Sequence, residues 1–360
     1  MKKNPTHLII STLTLLVMST FAANPPRATP GEGPCISAEL IYELEGRPTP
    51  QCHASSIVET PSGMAAAWFG GTREKDPDVG IWFSLQVDGK WTAPVELVDG
   101  SEGEDQEYAC WNPVLFQPKK GPLMLFYKVG LDPRQWWGAL LTSTDGGKTW
   151  SKPRRLGTND ALPAANRNLL GPVKNKPIQL ADGAILCPSS TENEGWKVHF
   201  EVTRDLGKTW EVIGPIHDAS KFNAIQPSIL THGDDQLQIL CRSREKKIVQ
   251  SWSEDNGKTW SEVSATGLPN PNAGTDAVTL ADGQQLLVYN PIERGRRILA
   301  VTVSQDGNEW RGALTLEEEE GGEFSYPAVI QASDGKVHIT YTWMRQSVKH
   351  VVLDPAKLGK

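Results

Sequence analysis

Apolar residues along this chain come in short runs separated by turns, and no stretch carries helical periodicity. Met64-Ala-Ala-Ala-Trp-Phe follows Pro-Ser-Gly63, and Leu123-Met-Leu-Phe-Tyr follows Lys-Lys-Gly121. Similar runs follow Ala-Asp-Gly183, His-Gly233-Asp-Asp, Ala-Asp-Gly283 and Ser-Asp-Gly335. A glycine-containing turn between apolar or alternating runs is a hairpin signal, so the pattern predicts six β-hairpins.

A second pattern runs out of phase with the first. Ser143-Thr-Asp-Gly-Gly-Lys-Thr-Trp150 recurs as Thr203-Arg-Asp-Leu-Gly-Lys-Thr-Trp210 and as Ser253-Glu-Asp-Asn-Gly-Lys-Thr-Trp260. Ser304-Gln-Asp-Gly-Asn-Glu-Trp310 is one residue shorter, and Val87-Asp-Gly-Lys-Trp91 is an eroded copy. The five tryptophans are 59, 60, 50 and 50 residues apart. From hairpin glycine to box tryptophan the distances are 28, 29, 27, 27 and 27 residues. A repeat of this length implies a repeat architecture. The box aspartate is expected to accept from backbone N–H groups two and three residues on and so pin a turn. None of this chemistry is reactive, so these aspartates read as structural.

The sixth hairpin, at Gly335, has no box after it, because its tryptophan would fall beyond Lys360. The unclaimed strand-like segment 36–44 can supply the missing outer strand. The fold class is therefore all-β: a six-bladed β-propeller of four-stranded antiparallel blades, closed by an N-terminal strand over residues 36–354.

Composition and charge refine this. Met-Lys-Lys, an apolar run and Ala22-Ala23 predict a signal peptide over residues 1–22. The expected location is periplasmic or secreted. Residues 23–35 read as a flexible leader and 355–360 as a C-terminal tail. No other stretch could span a membrane as a helix. Net charge is −7, which argues against nucleic acid. Cys35, Cys52, Cys110, Cys187 and Cys241 are expected to be buried thiols. No metal-ligand or nucleotide motif is present, so neither metal nor cofactor is expected; the oligomeric state is open.

The repeat phase predicts where chemistry sits. Inner strands begin, and second strands end, on one face of the ring near its axis. That phase gathers His53, Asn112, Lys174, Lys176, Gln226, Asp276 and Tyr326 from the first set. From the second come Arg73, Glu74, Asp78, Lys128, Glu192, Arg242, Arg244, Arg296, Trp343 and Arg345. A face rich in cations on an acidic chain suits a small anionic ligand, an acidic sugar above all.

The boxes and six-unit layout resemble the sialidase superfamily over nearly the whole mature chain. Leu237-Gln-Ile-Leu-Cys-Arg242-Ser-Arg resembles the segment carrying the second arginine of that family's carboxylate-binding triad. Asn290-Pro with Arg296 resembles the third-arginine segment, and Phe324-Ser-Tyr326-Pro-Ala the segment of the nucleophilic tyrosine. Trp68-Phe-Gly-Gly-Thr-Arg-Glu with Asp78 resembles the acid/base loop. In two places the chain departs from the pattern. Cys52-His53-Ala54 stands where the family has its first arginine, and Ile225-Gln226-Pro227 where it has the glutamate that activates the tyrosine.

The resemblance implies a sialidase-like exo-glycosidase acting on an acidic glycan. Tyr326 would be nucleophile and Asp78 acid/base, with Gln226 and His53 in the reaction centre. Arg242, Arg296, Arg244, Lys176, Glu192, Asn112 and Asp276 would contact substrate. Two other readings stay open: a uronate lyase using His53 with Tyr326, and a glycan-binding propeller without activity.

Overall fold

The computed structural model describes residues 25–101, 107–157, 168 and 170–358. The expected signal peptide, and parts of the loops 99–107 and 157–166, lie outside them.

β1 (Cys35–Leu40) comes first in the chain but belongs to the last blade. Blade one holds β2 (Gln51–Thr60), β3 (Gly63–Gly71), β4 (Gly80–Val87), β5 (Lys90–Trp91) and β6 (Val95–Val98). Blade two holds β7 (Cys110–Phe116), β8 (Leu123–Gly130), β9 (Trp136–Ser143) and β10 (Arg154–Arg155). In blade three, β11 (Ile178–Gln179) is followed by β12 (Ile185–Thr191), β13 (Lys197–Thr203) and β14 (Glu211–Ile213). Blade four runs through β15 (Ala224–His232), β16 (Gln236–Ser243), β17 (Lys247–Ser253) and β18 (Ser264–Pro269). Blade five has β19 (Asp276–Thr279), β20 (Gln285–Tyr289), β21 (Ile298–Ser304) and β22 (Arg311–Glu318). In blade six, β23 (Phe324–Gln331), β24 (Val337–Trp343) and β25 (Ser347–Leu353) are completed by β1, antiparallel to β25. The N-terminal strand thus closes the ring, over a shorter span than the expected 36–44.

All six hairpin glycines, from Gly63 to Gly335, have positive φ, the backbone state these turns require. In the first full box, Asp145 accepts from the N–H of Thr149 at 2.9 Å and from the hydroxyls of Ser143 and Thr149. This bond reaches four residues on. In the second full box Asp205 accepts from Lys208, three on as expected, as well as from Thr209, four on. In the shorter copy Asp306 accepts from Asn308 and Glu309, two and three on.

Each box tryptophan packs on the preceding blade. Trp150 meets Phe83, Trp210 meets Phe126, and Trp260 stacks on Phe200 with centroids 4.5 Å apart. Among the described residues the buried apolar side chains fall into six clusters, each straddling a blade interface; the one between blades one and two also takes in Val173 and Tyr326. The core is therefore a ring of seams, and the box tryptophans lie within those seams.

Residues 25–34, read as a flexible leader, are held instead against blade five. Arg27 bridges to Thr315, and the Ala28 N–H donates to the Thr315 carbonyl at 2.8 Å. Of the C-terminal tail, Pro355–Lys357 form a 3-10 turn capped by Asp354, and Leu358 is buried. Trp136 and Trp137 belong to β9 and are buried, so the expected loop 132–137 is shorter. All five cysteines are free and buried.

Candidate active site

The site begins with a repeated bulge. The inner strands of blades one, two, four and six slip register between His53/Ser56, Trp111/Val114, Ile225/Ser228 and Ser325/Ala328. Ala54, Asn112, Gln226 and Tyr326 occupy these bulges with φ between 42° and 58°. Three of the four precede a proline, which has no N–H to give the ladder. A bulge re-aims a side chain, and positive φ on a residue as large as tyrosine is strain of the kind that gathers at functional sites. Gly274 makes room for it, since a Cβ there would lie 3.2 Å from the Tyr326 ring.

Tyr326 is the hub. Its hydroxyl accepts from Arg242 Nη1 at 2.5 Å. The Arg296 guanidinium lies 5.3 Å from its ring centroid, and the His53 ring 4.1 Å. Arg242, 7% exposed, also packs on Trp196 at 5.1 Å, and its Nε has no partner. No carboxylate among the described residues lies within ion-pair distance of it. Arg296 and Arg345 share one acid, donating to Glu323 Oε1 at 3.0 and 3.1 Å. Arg345 also reaches Glu74 at 2.8 Å, which ties the loop after β3 to blade six. Burial pushes the Glu323 carboxyl up, but Arg345 and Arg296 outweigh it and hold the pKa below the ordinary value.

His53 is fully enclosed, with Nδ1 2.9 Å from the Thr342 hydroxyl. Burial, then the charges of Arg345, Arg296, Arg242 and Lys174, hold its pKa well below the usual histidine range. It is a neutral imidazole at neutral pH. Lys174 is also buried, and burial brings its pKa down to about 7. Its ammonium donates to the carbonyls of Thr275, at 2.5 Å, and of Pro327, next to Tyr326.

The remaining candidates divide. Lys176 and Asp276 are joined to each other at 2.9 Å, and Asp276 also accepts from Val329 N–H and Ser228 Oγ. They form a strut among blades three to six. Glu192 accepts from Trp196 Nε1 at 3.0 Å, and Arg244 packs on the same indole at 4.3 Å. Gln226 is 3% exposed, and its Oε1 has no partner. Asn112 is buried on the equivalent bulge of blade two. Asp78 is exposed, its Oδ2 accepting from Thr72 N–H at 2.8 Å.

Sequence reasoning did not find Trp196 or Thr342. Trp196 lies outside every box, so the repeat gives it no equivalent, and Thr342 reads as an ordinary strand threonine. Among the described residues no group of three or more His, Cys, Asp or Glu could hold a metal ion.

Comparisons agree with this architecture. A Bacteroides fragilis protein named sialidase is 25% identical over 253 residues, covering 62% of this chain and 44% of its own length. The chain therefore spans less than half of that relative. A Hadza microbial sialidase, Hz136, superposes with a TM-score of 0.76 at 17% identity, over 89% of this chain and 69% of its own. The NanB sialidase of Streptococcus pneumoniae gives 0.72 at 14% identity, over 92% and 72%. Residues 63–339 match the family described as BNR repeat-like domain. The chain belongs to that family, and within it to the sialidase-like superfamily of six-bladed propellers.

Proposed function

We propose that this protein is a secreted or periplasmic sialidase-like exo-glycosidase that removes a terminal acidic sugar from an extracellular glycan. One observation carries the reading: the Arg242 guanidinium is buried, has an unpartnered Nε, has no carboxylate beside it among the described residues, and donates to Tyr326 Oη. A buried cation without a counter-charge is costly. A substrate carboxylate would complete it with a charge-assisted, bidentate pair. Arg296, half-neutralised by the acid it shares with Arg345, would add a second contact.

Where a carboxylate sits on the reacting carbon, an anionic nucleophile is repelled, and a phenol is not. Tyr326 would attack that carbon while the Arg242 N–H stabilises the developing phenolate. Glu323, held ionised by its two arginines, would take the phenolic proton. Asp78, open to solvent, would protonate the leaving oxygen as the glycosidic bond breaks. It would then take a proton from the water that displaces Tyr326 and frees the sugar, the phenolate regaining its proton from Glu323.

A second reading has its own support. His53 is neutral, touches the Tyr326 ring, and is held at Nδ1 by Thr342. With Nδ1–H donated to Thr342, the Nε2 lone pair is free to take a proton beside a uronate carboxylate, which is elimination.

One assay separates the readings. The protein is incubated with sialosides and with uronate-terminated oligosaccharides while released sugar and ultraviolet absorbance are followed together. Release of a saturated sugar that disappears in Tyr326→Phe supports hydrolysis. A rise in absorbance from a conjugated C=C replaces it with elimination. Silence on every acidic glycan leaves a binding propeller.

A further inference from the structure

Arg242 lies near the end of β16, and Arg244 is the first residue past it, in the turn. The Arg244 N–H still donates to the Asn223 carbonyl at 3.0 Å, which extends the ladder by one residue, so the period of two puts both side chains on one face. Both guanidiniums pack on the same indole, Trp196, at 5.1 and 4.3 Å. That indole is fixed from two sides. Its Nε1–H donates to Glu192, and its backbone N–H donates to Asn223 Oδ1 at 3.3 Å.

Neither arginine has a carboxylate within ion-pair distance among the described residues. Every other arginine next to the site does: Arg296 and Arg345 share Glu323, and Arg345 also has Glu74. Two like charges on one ring repel, and the cation–π contacts offset only part of that. The inner guanidinium is buried and the outer one exposed, so an anion meets them in sequence from the axis outward.

We propose that Trp196 carries a two-cation cradle, and that the sugar recognised bears two anionic groups: a carboxylate on Arg242 and a second carboxylate or sulfate on Arg244. This rests on the acidic-sugar reading of the same site and narrows it. Arg244 determines specificity and takes no part in bond breaking. Glu192 sets the platform by holding the indole edge.

The test uses small carboxylates as rulers on the full-length protein, by calorimetric titration at low salt. The probes are propionate and butyrate, the dicarboxylates succinate and glutarate, and 3-sulfopropionate, whose sulfonate stands in for a sulfate ester. A dianion long enough to bridge should bind about ten-fold tighter than the monocarboxylate of similar length, the scale of one charge-assisted hydrogen bond. Arg244→Gln should erase that advantage, and Arg244→Lys should keep part of it. Whether succinate or 3-sulfopropionate gains more identifies the second group. The cradle is refuted if monocarboxylates bind in an Arg242-dependent way but dianions gain nothing, or if the gain survives Arg244→Gln. If the wild-type protein binds no carboxylate at all, the acidic-sugar reading fails first and takes the cradle with it.

Discussion

The rim of the ring and its axis are built from the same repeat to opposite ends. At the rim, the aspartates of the three full-length boxes use both carboxylate oxygens, and the box serine or threonine caps the turn glycine. The tryptophan N–H of these boxes and of the shorter copy finds the carbonyl of that glycine; only in the eroded copy is the Trp91 N–H buried without a partner. At the axis, Arg242 Nε, Gln226 Oε1, Asn175 Oδ1, Asn272 Oδ1 and Thr275 Oγ1 are buried without partners. The axis also holds Ala54, Asn112, Lys174, Gln226 and Tyr326 at positive φ. Satisfied groups read as stability, and unsatisfied, strained ones as binding capacity held by the surrounding structure. The comparison predicts that rim changes alter melting and leave chemistry alone, and that axial changes do the reverse.

The largest expected effect comes from opening the ring. Deleting residues 25–40 removes β1 and leaves β25 an unpaired edge. We expect no cooperatively folded product; a soluble truncation with an unchanged melting temperature would break the closure.

At the axis, Arg242→Gln should lower kcat/KM on the acidic substrate by about two to three orders of magnitude, since the lost clamp is a desolvated charge pair. The melting temperature should hold or rise, because an unpaired buried cation has been removed. Thermal melts beside steady-state kinetics read both. A large fall in stability would make Arg242 a structural residue and blur the contrast.

The rim counterpart is Trp210→Ala. This buried indole packs on Phe126 across the seam between blades two and three. Its loss should cost about 3–5 kcal/mol, measured by denaturant unfolding, with kcat per folded molecule unchanged. A matching loss of kcat would mean that the seams set the axial geometry directly.

What the sequence made legible follows the same division. Box spacing and hairpin glycines report backbone needs that recur in every blade, so six units and the closing strand could be read by counting. Arg242, Arg296, His53 and Tyr326 share a repeat phase, and the fold brings all four together. Their partners are only partly in phase. Trp196 has no equivalent in other blades; Glu74 and Arg345 do share the phase, but their pairing through Glu323 joins turns far apart in the chain and phase does not show it. Phase also cannot tell a free group from a paired one. Lys176 and Asp276 stand where substrate contacts were expected, yet they bind each other, because Asp276 is 2% exposed and needs the counter-charge. The leader gave no signal because its hold on blade five is mostly backbone.

The smallest effect expected is on pH. His338, stacked on His350 in blade six, is held down at about 4 by burial and by the nearby His350, against the pull of Asp334 and Glu59. Its unfolded value is about 6.5. Between these values the unfolded chain carries the extra proton, so stability rises with pH across that window and is lost as pH falls through it. The span corresponds to roughly 2–4 kcal/mol. His53 adds a change of the same sign. Melting curves from pH 7 to 4.5 should fall for the wild-type protein and fall less for His338→Gln. Equal slopes would remove His338 from the account.

The central claim is that the Arg242 guanidinium, with Nε unpartnered and no carboxylate beside it among the described residues, waits for a substrate carboxylate at Tyr326. The most direct measurement is a crystal structure of the Tyr326→Phe protein with the acidic glycan that the wild-type protein turns over. The account predicts the terminal carboxylate about 3 Å from the Arg242 guanidinium, with Nε paired and a counter-charge in place, and the reacting carbon above position 326. A glycan bound elsewhere on the ring, with Arg242 still lacking a carboxylate, would contradict it.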